Sequence, residues 1–155
     1  MHFIFQYSWI VFLVGHVFQT YMFAQKCKPF DTESERISEK VLKAYGGIGS
    51  IPWIIMGFGL VTGNANSFLE YLMPPIDNWA VVTFHASIWL IWAVLIRWVF
   101  FADGAEFIAK YKLITIRMFF EEREATPKSV KLFTALAICG GIYGEYLIWT
   151  GHLIR

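Results

Sequence analysis

Four ionisable side chains lie inside stretches of sequence that are otherwise apolar: His16, His85, Arg97 and Glu145. An ionisable side chain in hydrocarbon costs on the order of 2.5–3.5 kcal/mol on insertion scales, so it usually faces the interior of a helix bundle. Imidazole can bind a metal ion or carry a proton, and a buried carboxylate often belongs to a proton or ion path. These residues are therefore the first candidates for a functional site.

His16 and His85 are candidate axial ligands of a tetrapyrrole, and Trp89 follows His85 by one helical turn. A helical histidine beside aromatic side chains offers the imidazole and the apolar wall that b-type haem or a chlorin needs. The alternative is a structural histidine, because a chain with 7 Trp and 15 Phe places aromatic neighbours almost everywhere. The predicted depths of the two histidines differ by about 11 Å, so one haem for each fits as well as a shared haem.

Glu145 and His85 can be level with each other in the membrane. At 1.5 Å per residue, His85 is about 9 Å and Glu145 about 10 Å from the same boundary. His152 lies seven residues after Glu145, on the same helix face. These side chains could line one polar pocket that relays protons or holds a metal ion. The alternative is that His152 is interfacial and Glu145 hydrogen-bonds a tyrosine.

Arg97 lies four residues from the inner end of the third apolar stretch. Its side chain is expected either to reach lipid phosphates or to point inward, where it would hold a haem propionate or a quinone head group. The chain contains no nucleophile–base motif, phosphate-binding glycine loop, CxxC pair or HExxH motif. The sequence therefore predicts neither a stand-alone hydrolase nor an ATPase, and whether the protein is an enzyme stays open.

The elements that must position these residues are four apolar stretches, residues 3–24, 48–66, 79–101 and 131–152, each about long enough to cross a bilayer. Only 16% of the residues are charged and the mean hydropathy is +0.50, whereas ordinary soluble domains are about 25% charged. Because lipid cannot satisfy backbone amides, these stretches should be α-helices. The prediction is an all-α integral membrane protein, a four-helix bundle in one domain that covers residues 1–155.

The charges in the loops predict the orientation. Residues 25–47 carry five Lys and Arg, residues 102–131 carry six, and residues 64–78 carry none. By the positive-inside rule the two basic loops are cytoplasmic and both termini lie outside. The expected location is the bacterial inner membrane, which the chain would cross several times. The formal net charge of +1 argues against a nucleic-acid partner and leaves lipids and other membrane subunits.

Each cytoplasmic loop is predicted to contain a short amphipathic helix. Acidic residues precede basic ones from residue 31 onwards, which predicts a capped helix that ends near Gly46-Gly47. Apolar residues recur at helical spacing over 107–118, which predicts either a helix on the membrane surface or an extension of the third span.

Small residues four positions apart predict where helices approach each other closely. The pairs are Gly59 with Gly63 and Gly140 with Gly144. Helices two and four should therefore have a close neighbour, either within the chain or in a partner, such as another subunit or a second copy.

Three features together resemble a known superfamily: His16 in the first span, a glycine-rich second span ending in Thr62-Gly63-Asn64, and Asn78-Trp79 at the start of the third. Across residues 9 to about 101 the chain is similar to the four-helix membrane superfamily of copper-resistance D proteins and bacterial membrane-type protoporphyrinogen oxidase. The resemblance implies b-type haem at His16. The third span lacks the lysine found in that family, so oxidase activity is not implied.

Three functional hypotheses follow. In the first, the protein is a haem-binding subunit of a redox or electron-transfer system, with His16 and His85 as ligands and Arg97 and Trp89 beside the cofactor. In the second, it is a non-catalytic accessory subunit of a membrane complex. In the third, it is a small oligomeric transporter or channel that uses Glu145. The sequence favours them narrowly in that order.

Overall fold

The computed structural model describes residues 7–26, 32–75, 77–111, 113–118 and 121–151. Its elements in chain order are the helices α1 (Ser8–Lys26), α2 (Thr32–Val61), α3 (Trp79–Ile96) and α4 (Gly104–Lys110), the strands β1 (Thr115–Met118) and β2 (Glu121–Glu124), and the helix α5 (Pro127–Trp149). A 3-10 turn, Phe68–Tyr71, lies between α2 and α3, and we call it the cap segment. A π-helical turn, Arg97–Phe101, continues α3. The predicted helical architecture is confirmed.

Three segments have the length and composition of membrane spans: Glu35–Val61, Trp79–Phe101 and Pro127–Trp149. Among the described residues α1 does not reach the same mean hydropathy, because His16, Gln19 and Gln25 interrupt its apolar residues. The chain is thus a helical membrane protein with three candidate spans. Residues 3–6 of the predicted first span lie outside the described residues.

Helices α1 and α2 lie antiparallel along each other because glycines on α2 make room for side chains of α1. The facing pairs are Trp9 with Gly57, His16 with Gly49, and Thr20 with Gly46. Between them Phe12 stacks on Trp53, with ring centroids 5.2 Å apart. The predicted helix end near Gly46-Gly47 is wrong, since α2 runs through it to Val61.

Helix α2 ends at Val61, before the predicted residue 66, because Gly63 takes a φ of +74° and turns the chain out of the helix. The cap segment then folds back over the end of the bundle, and Pro74 and Pro75 follow it. Asn78 begins α3, where its side chain accepts hydrogen bonds from the amides of Ala80 and Val81. The 62–78 loop is thereby held close to the helix ends.

The chain between α3 and α5 forms a short helix and a hairpin. The short helix predicted over 107–118 is confirmed only as far as Lys110, where α4 ends. From Thr115 the chain is extended instead, and β1 pairs antiparallel with β2 with Arg117 opposite Glu122. The run Ile114-Thr115-Ile116 explains the change, since β-branched residues favour extended backbone. The hairpin is the exception to a helical structure.

Helix α5 begins at Pro127, earlier than the predicted residue 131. Thr126 and Ser129 form a capping box there, and proline is well suited to the first helical position. Lys131 then binds Glu106 of α4 at 2.9 Å. Only 11% of an apolar stretch of 18 residues in α5 is buried within the described structure, so most of the surface of this helix faces outward.

Two buried clusters hold the bundle. The cluster at the 62–78 end consists of Met56, Leu60, Ala65, Tyr71, Val81 and Phe84. The cluster at the opposite end consists of Val99, Ala105, Ala125 and Val130. The first cluster packs the cap segment against α2 and α3, directly beside the buried polar side chains described next.

Candidate functional site

His85 of α3 and Glu145 of α5 are in direct contact inside the bundle, and we call them the dyad. The imidazole Nδ1 lies 2.8 Å from Oε2 and 3.0 Å from Oε1 of the carboxyl group. His85 is 2% and Glu145 6% exposed. The contact shows that the two residues are level with each other in the bundle and that the side chain of Glu145 faces protein.

Two further groups complete the polar contacts of the dyad. The indole Nε1–H of Trp149 donates a hydrogen bond to Oε2 of Glu145 at 3.1 Å. The Nε2 atom of His85 lies 3.0 Å from the backbone carbonyl oxygen of Tyr71 in the cap segment. Because a carbonyl oxygen can only accept, Nε2 must carry a hydrogen. This contact therefore fixes the tautomer of the imidazole.

The contact between Nδ1 and Glu145 then needs one hydrogen of its own. Either an imidazolium donates to a carboxylate, or a carboxylic acid donates to a neutral imidazole. The pair is electrically neutral overall in both arrangements. The dyad can therefore hold one shared proton in an apolar interior, where an unpaired charge would be strongly unfavourable.

Aromatic rings surround the dyad. The imidazole meets the edge or face of Phe84 and Trp149, with centroids 5.1 and 5.2 Å away. Tyr71 is 1% exposed, and its hydroxyl donates to the carbonyl of Met56 at 3.3 Å. Burial raises the pKa of Tyr71 to about 12, so this hydroxyl keeps its hydrogen at neutral pH. These rings restrict contact between the dyad and water.

His16 occupies a different environment, between α1 and α2. Its ring lies in the space left by Gly49, where a Cβ atom would be 2.6 Å from Nε2, and it contacts the ring of Tyr45 at 5.4 Å. Among the described residues, the buried Nε2 atom has no hydrogen-bond partner, and neither has Nε1 of Trp9. His85 instead pairs with α5, so the structure does not bring the two histidines to one site.

The other predicted site residues do not join the dyad. Trp89 is 44% exposed and packs edge to face on Trp92, which fills the space beside Gly141. Arg97 is exposed at the start of the π-helical turn. His152 lies outside the described residues.

A polar groove of about 510 Å³ lies next to the cap segment; its lining residues are Asn64, Asn66, Glu70, Pro75, Asp77, Asn78 and Trp79. The carboxylate of Glu70 accepts from the backbone and side-chain nitrogens of Asn66 at 2.9 and 3.0 Å, and from Asn78 at 3.1 Å. This network ties the cap segment to the start of α3.

Trp149 and Tyr71 were not among the predicted site residues. Trp149 follows Glu145 by four residues, and this helical spacing could have indicated their contact. Tyr71 contributes a backbone carbonyl, which no side-chain pattern reveals.

Within the part of the chain that the structure describes, no group of three or more His, Cys, Asp or Glu side chains is placed to hold a metal ion. The fold and the site together define a helical membrane protein with a buried imidazole–carboxyl pair. The chain matches no protein-family model, no curated protein and no solved structure. The resemblance to the copper-resistance D superfamily stays a prediction.

Proposed function

We propose that the protein is a small membrane transporter or channel that moves protons, with Glu145 and His85 as the groups that accept and release them. The observation that carries this proposal is the contact of 2.8 Å between two almost fully buried ionisable side chains of two candidate membrane spans. Ionisable residues inside membranes usually mark ion pathways or proton relays. Both nitrogens of His85 are already occupied, which favours this function over haem binding at that residue.

We further propose four spans, with α1 as the first. The contacts between Trp9 and Gly57 at one end and Thr20 and Gly46 at the other place α1 along about 16 Å of α2. A helix packed lengthwise on a span shares its depth in the bilayer. The two basic loops then lie in the cytoplasm, both termini lie outside, and the dyad lies in the outer half of a bacterial inner membrane.

Cysteine labelling tests this topology. Cysteines replacing Asn66 and Lys40 in turn, in a chain whose Cys27 and Cys139 are changed to serine, should react with an impermeant maleimide from opposite sides of the membrane. Both positions are exposed in the structure. Labelling of both from one side would reject the four-span arrangement.

Proton flux into liposomes tests the proposed function. The purified protein in potassium-loaded vesicles with valinomycin should acidify the lumen, as read by a pH-sensitive dye. The substitution Glu145→Gln should abolish this flux, because an amide keeps the hydrogen bonds to His85 and Trp149 but cannot titrate. Glu106→Gln is the matched control, since it makes the same change at an exposed residue. A folded wild-type protein with no flux above empty vesicles would reject the function.

A tetrapyrrole at His16 is the second candidate function, and its support is the buried Nε2 atom, which has no partner in the described part of the chain. The described arrangement does not fit a tetrapyrrole, because Nε2 is turned into the space beside Gly49 and α1 lies against α2. A haem, chlorin or quinone there would require the two helices to separate. A Soret band that disappears in His16→Ala would establish this function, and a colourless active preparation would exclude it.

We propose that the uncovered face of α5 packs against another subunit or a second copy, while lipid covers the remaining apolar surface. A Cβ atom at Gly140 or Gly144 would meet no atom within 4 Å, so nothing in the described chain fills the space that this small-residue spacing leaves. Cys139 is exposed next to Gly140. Oxidative cross-linking at Cys139 would indicate a second copy, whereas a monomer by native mass spectrometry would support the accessory-subunit hypothesis.

A further inference from the structure

The hydrogen bonds of the dyad depend on how many protons it holds. With one shared proton, His85 donates from Nε2 to the carbonyl of Tyr71, and Glu145 and Nδ1 are joined by the second hydrogen. A second added proton also fits, because both ring nitrogens then donate. If the shared proton is lost, the imidazole has a single N–H for two acceptors, and one contact must fail.

The contact with Tyr71 is the one expected to fail. A charge-assisted hydrogen bond to a carboxylate is roughly twice as strong as a neutral one. A buried carboxylate without that bond would also be strongly destabilised. His85 therefore keeps its hydrogen on Nδ1, and the lone pair of Nε2 then faces the carbonyl oxygen of Tyr71. Two acceptors 3.0 Å apart repel each other, which favours release of the cap segment.

We propose that the cap segment, Phe68–Tyr71, is a proton-linked gate that is closed while the dyad holds its shared proton and opens when that proton leaves. This inference deepens the proposed function and rests on it for the direction of proton movement. Tyr71 is 1% and Ala65 2% exposed beside Phe84, so release of the cap would uncover the side of His85 that faces the 62–78 loop. The gate thus places proton exchange on the side of the polar groove.

Few charged groups face the gate. Glu145 approaches His85 from α5, and the hydroxyl of Tyr71, in the cap, is directed at Met56. Glu70, next to Tyr71, is held by Asn66 and Asn78 of the surrounding loop. Within the described residues neither member of the dyad forms an ion pair with Lys or Arg. The gain or loss of the proton on the dyad is therefore the charge change that controls the gate.

Hydrogen exchange measured by mass spectrometry tests the gate in the full-length protein in nanodiscs. The amides of Leu72 and Met73 bond to the carbonyl of Leu69 when the cap is closed. After correction for the intrinsic rate, their protection should fall about tenfold from about pH 5 to about pH 9, as expected for the loss of one hydrogen bond. Protection of α4, which is remote from the dyad, should not change and is the internal control.

The substitution Glu145→Gln should remove this pH dependence, because the amide donates to Nδ1 and leaves the hydrogen on Nε2 for Tyr71 at every pH. His85→Gln, whose amide nitrogen can also donate to that carbonyl, gives the same expectation should the first variant fail to fold. Unchanged protection of the wild type would overturn the gate, as would an equal loss of protection in both variants. Proton flux without a pH-dependent cap would refute the gate alone, and a pH-dependent cap without flux would refute the transport function alone.

Discussion

A double-mutant cycle on His85 and Glu145 measures how strongly the dyad joins α3 to α5. The three variants are His85→Leu, Glu145→Leu and the double substitution, and leucine approximates the volume of either side chain without polar atoms. Glu145→Leu leaves Nδ1 of His85 and Nε1 of Trp149 without their partner. His85→Leu leaves the carboxyl group buried with Trp149 as its remaining donor and the carbonyl of Tyr71 without a donor.

The contacts set the expected magnitude. Polar contacts between membrane helices average about 0.6 kcal/mol with a maximum near 1.7, and a buried group left without a partner costs about 1–3 kcal/mol. Each single substitution should therefore lower the free energy of unfolding by about 1–3 kcal/mol. The double variant should lose about as much as one single variant, because replacing a buried pair with apolar groups is often neutral but Nε1 of Trp149 and the carbonyl of Tyr71 still lack their partners. The coupling energy, which is the sum of the two single losses minus the loss in the double variant, is then about 1–3 kcal/mol.

Equilibrium unfolding in mixed micelles, followed by far-ultraviolet circular dichroism, gives the four free energies. The matched control is the exposed pair of Glu106 and Lys131, whose charged atoms are 2.9 Å apart and whose coupling energy should stay below about 1 kcal/mol. If the two dyad substitutions add to within about 0.5 kcal/mol, the contact contributes no coupling and the reasoning fails.

Two other predictions concern helix packing and pH. Gly49→Ala should destabilise the protein by about 1–3 kcal/mol by pushing the ring of His16 away from α2. Gly47→Ala, where a methyl group would meet no described atom within 4 Å, should be neutral or stabilising. Thermal melts of both variants in detergent check this, and equal melting temperatures would contradict it. The hydrogen bond from Lys131 holds the pKa of Glu106 below its usual value. The contact between α4 and α5 should therefore be strongest above the pKa of this carboxyl group in the unfolded chain, about 4.3. It should weaken as the pH falls through the lower pKa of the folded protein. Hydrogen exchange of α4 between about pH 6 and about pH 3 measures this weakening, and Glu106→Gln, which abolishes the titration, should remove it.

Much of the fold could be predicted from the sequence because the lengths of the apolar stretches and the polar residues between them are local signals. The third span was placed at its observed start, Trp79, since Asn78 caps the helix there. The common depth of His85 and Glu145 followed from the fixed rise of a helix and two loop boundaries. Depth alone does not give the direction in which either side chain points, because packing decides that direction.

The rest depended on contacts that no local pattern specifies. Gly46 and Gly49 resemble helix-breaking residues in the sequence, yet they provide the surface on which α1 packs. Gly140 and Gly144 have the expected spacing, yet Gly141 between them receives the neighbouring Trp92. Helix-breaking tendency is a weak preference that tertiary packing overrides, and the sequence does not encode which glycine faces the partner.

His16 and His85 look alike in the sequence, but the surroundings of their ring nitrogens separate them. At His85 a carboxyl group and a backbone carbonyl engage both nitrogens, so a metal ion at either one would have to displace a hydrogen bond. At His16 no described residue is a partner of the Nε2 atom, but the neighbouring helix fills the space that a ligand would need. Transfer of a proton requires a donor and an acceptor within hydrogen-bond distance or one water apart, and His85 has such a partner in Glu145. For this reason the dyad, rather than His16, is the stronger candidate for function.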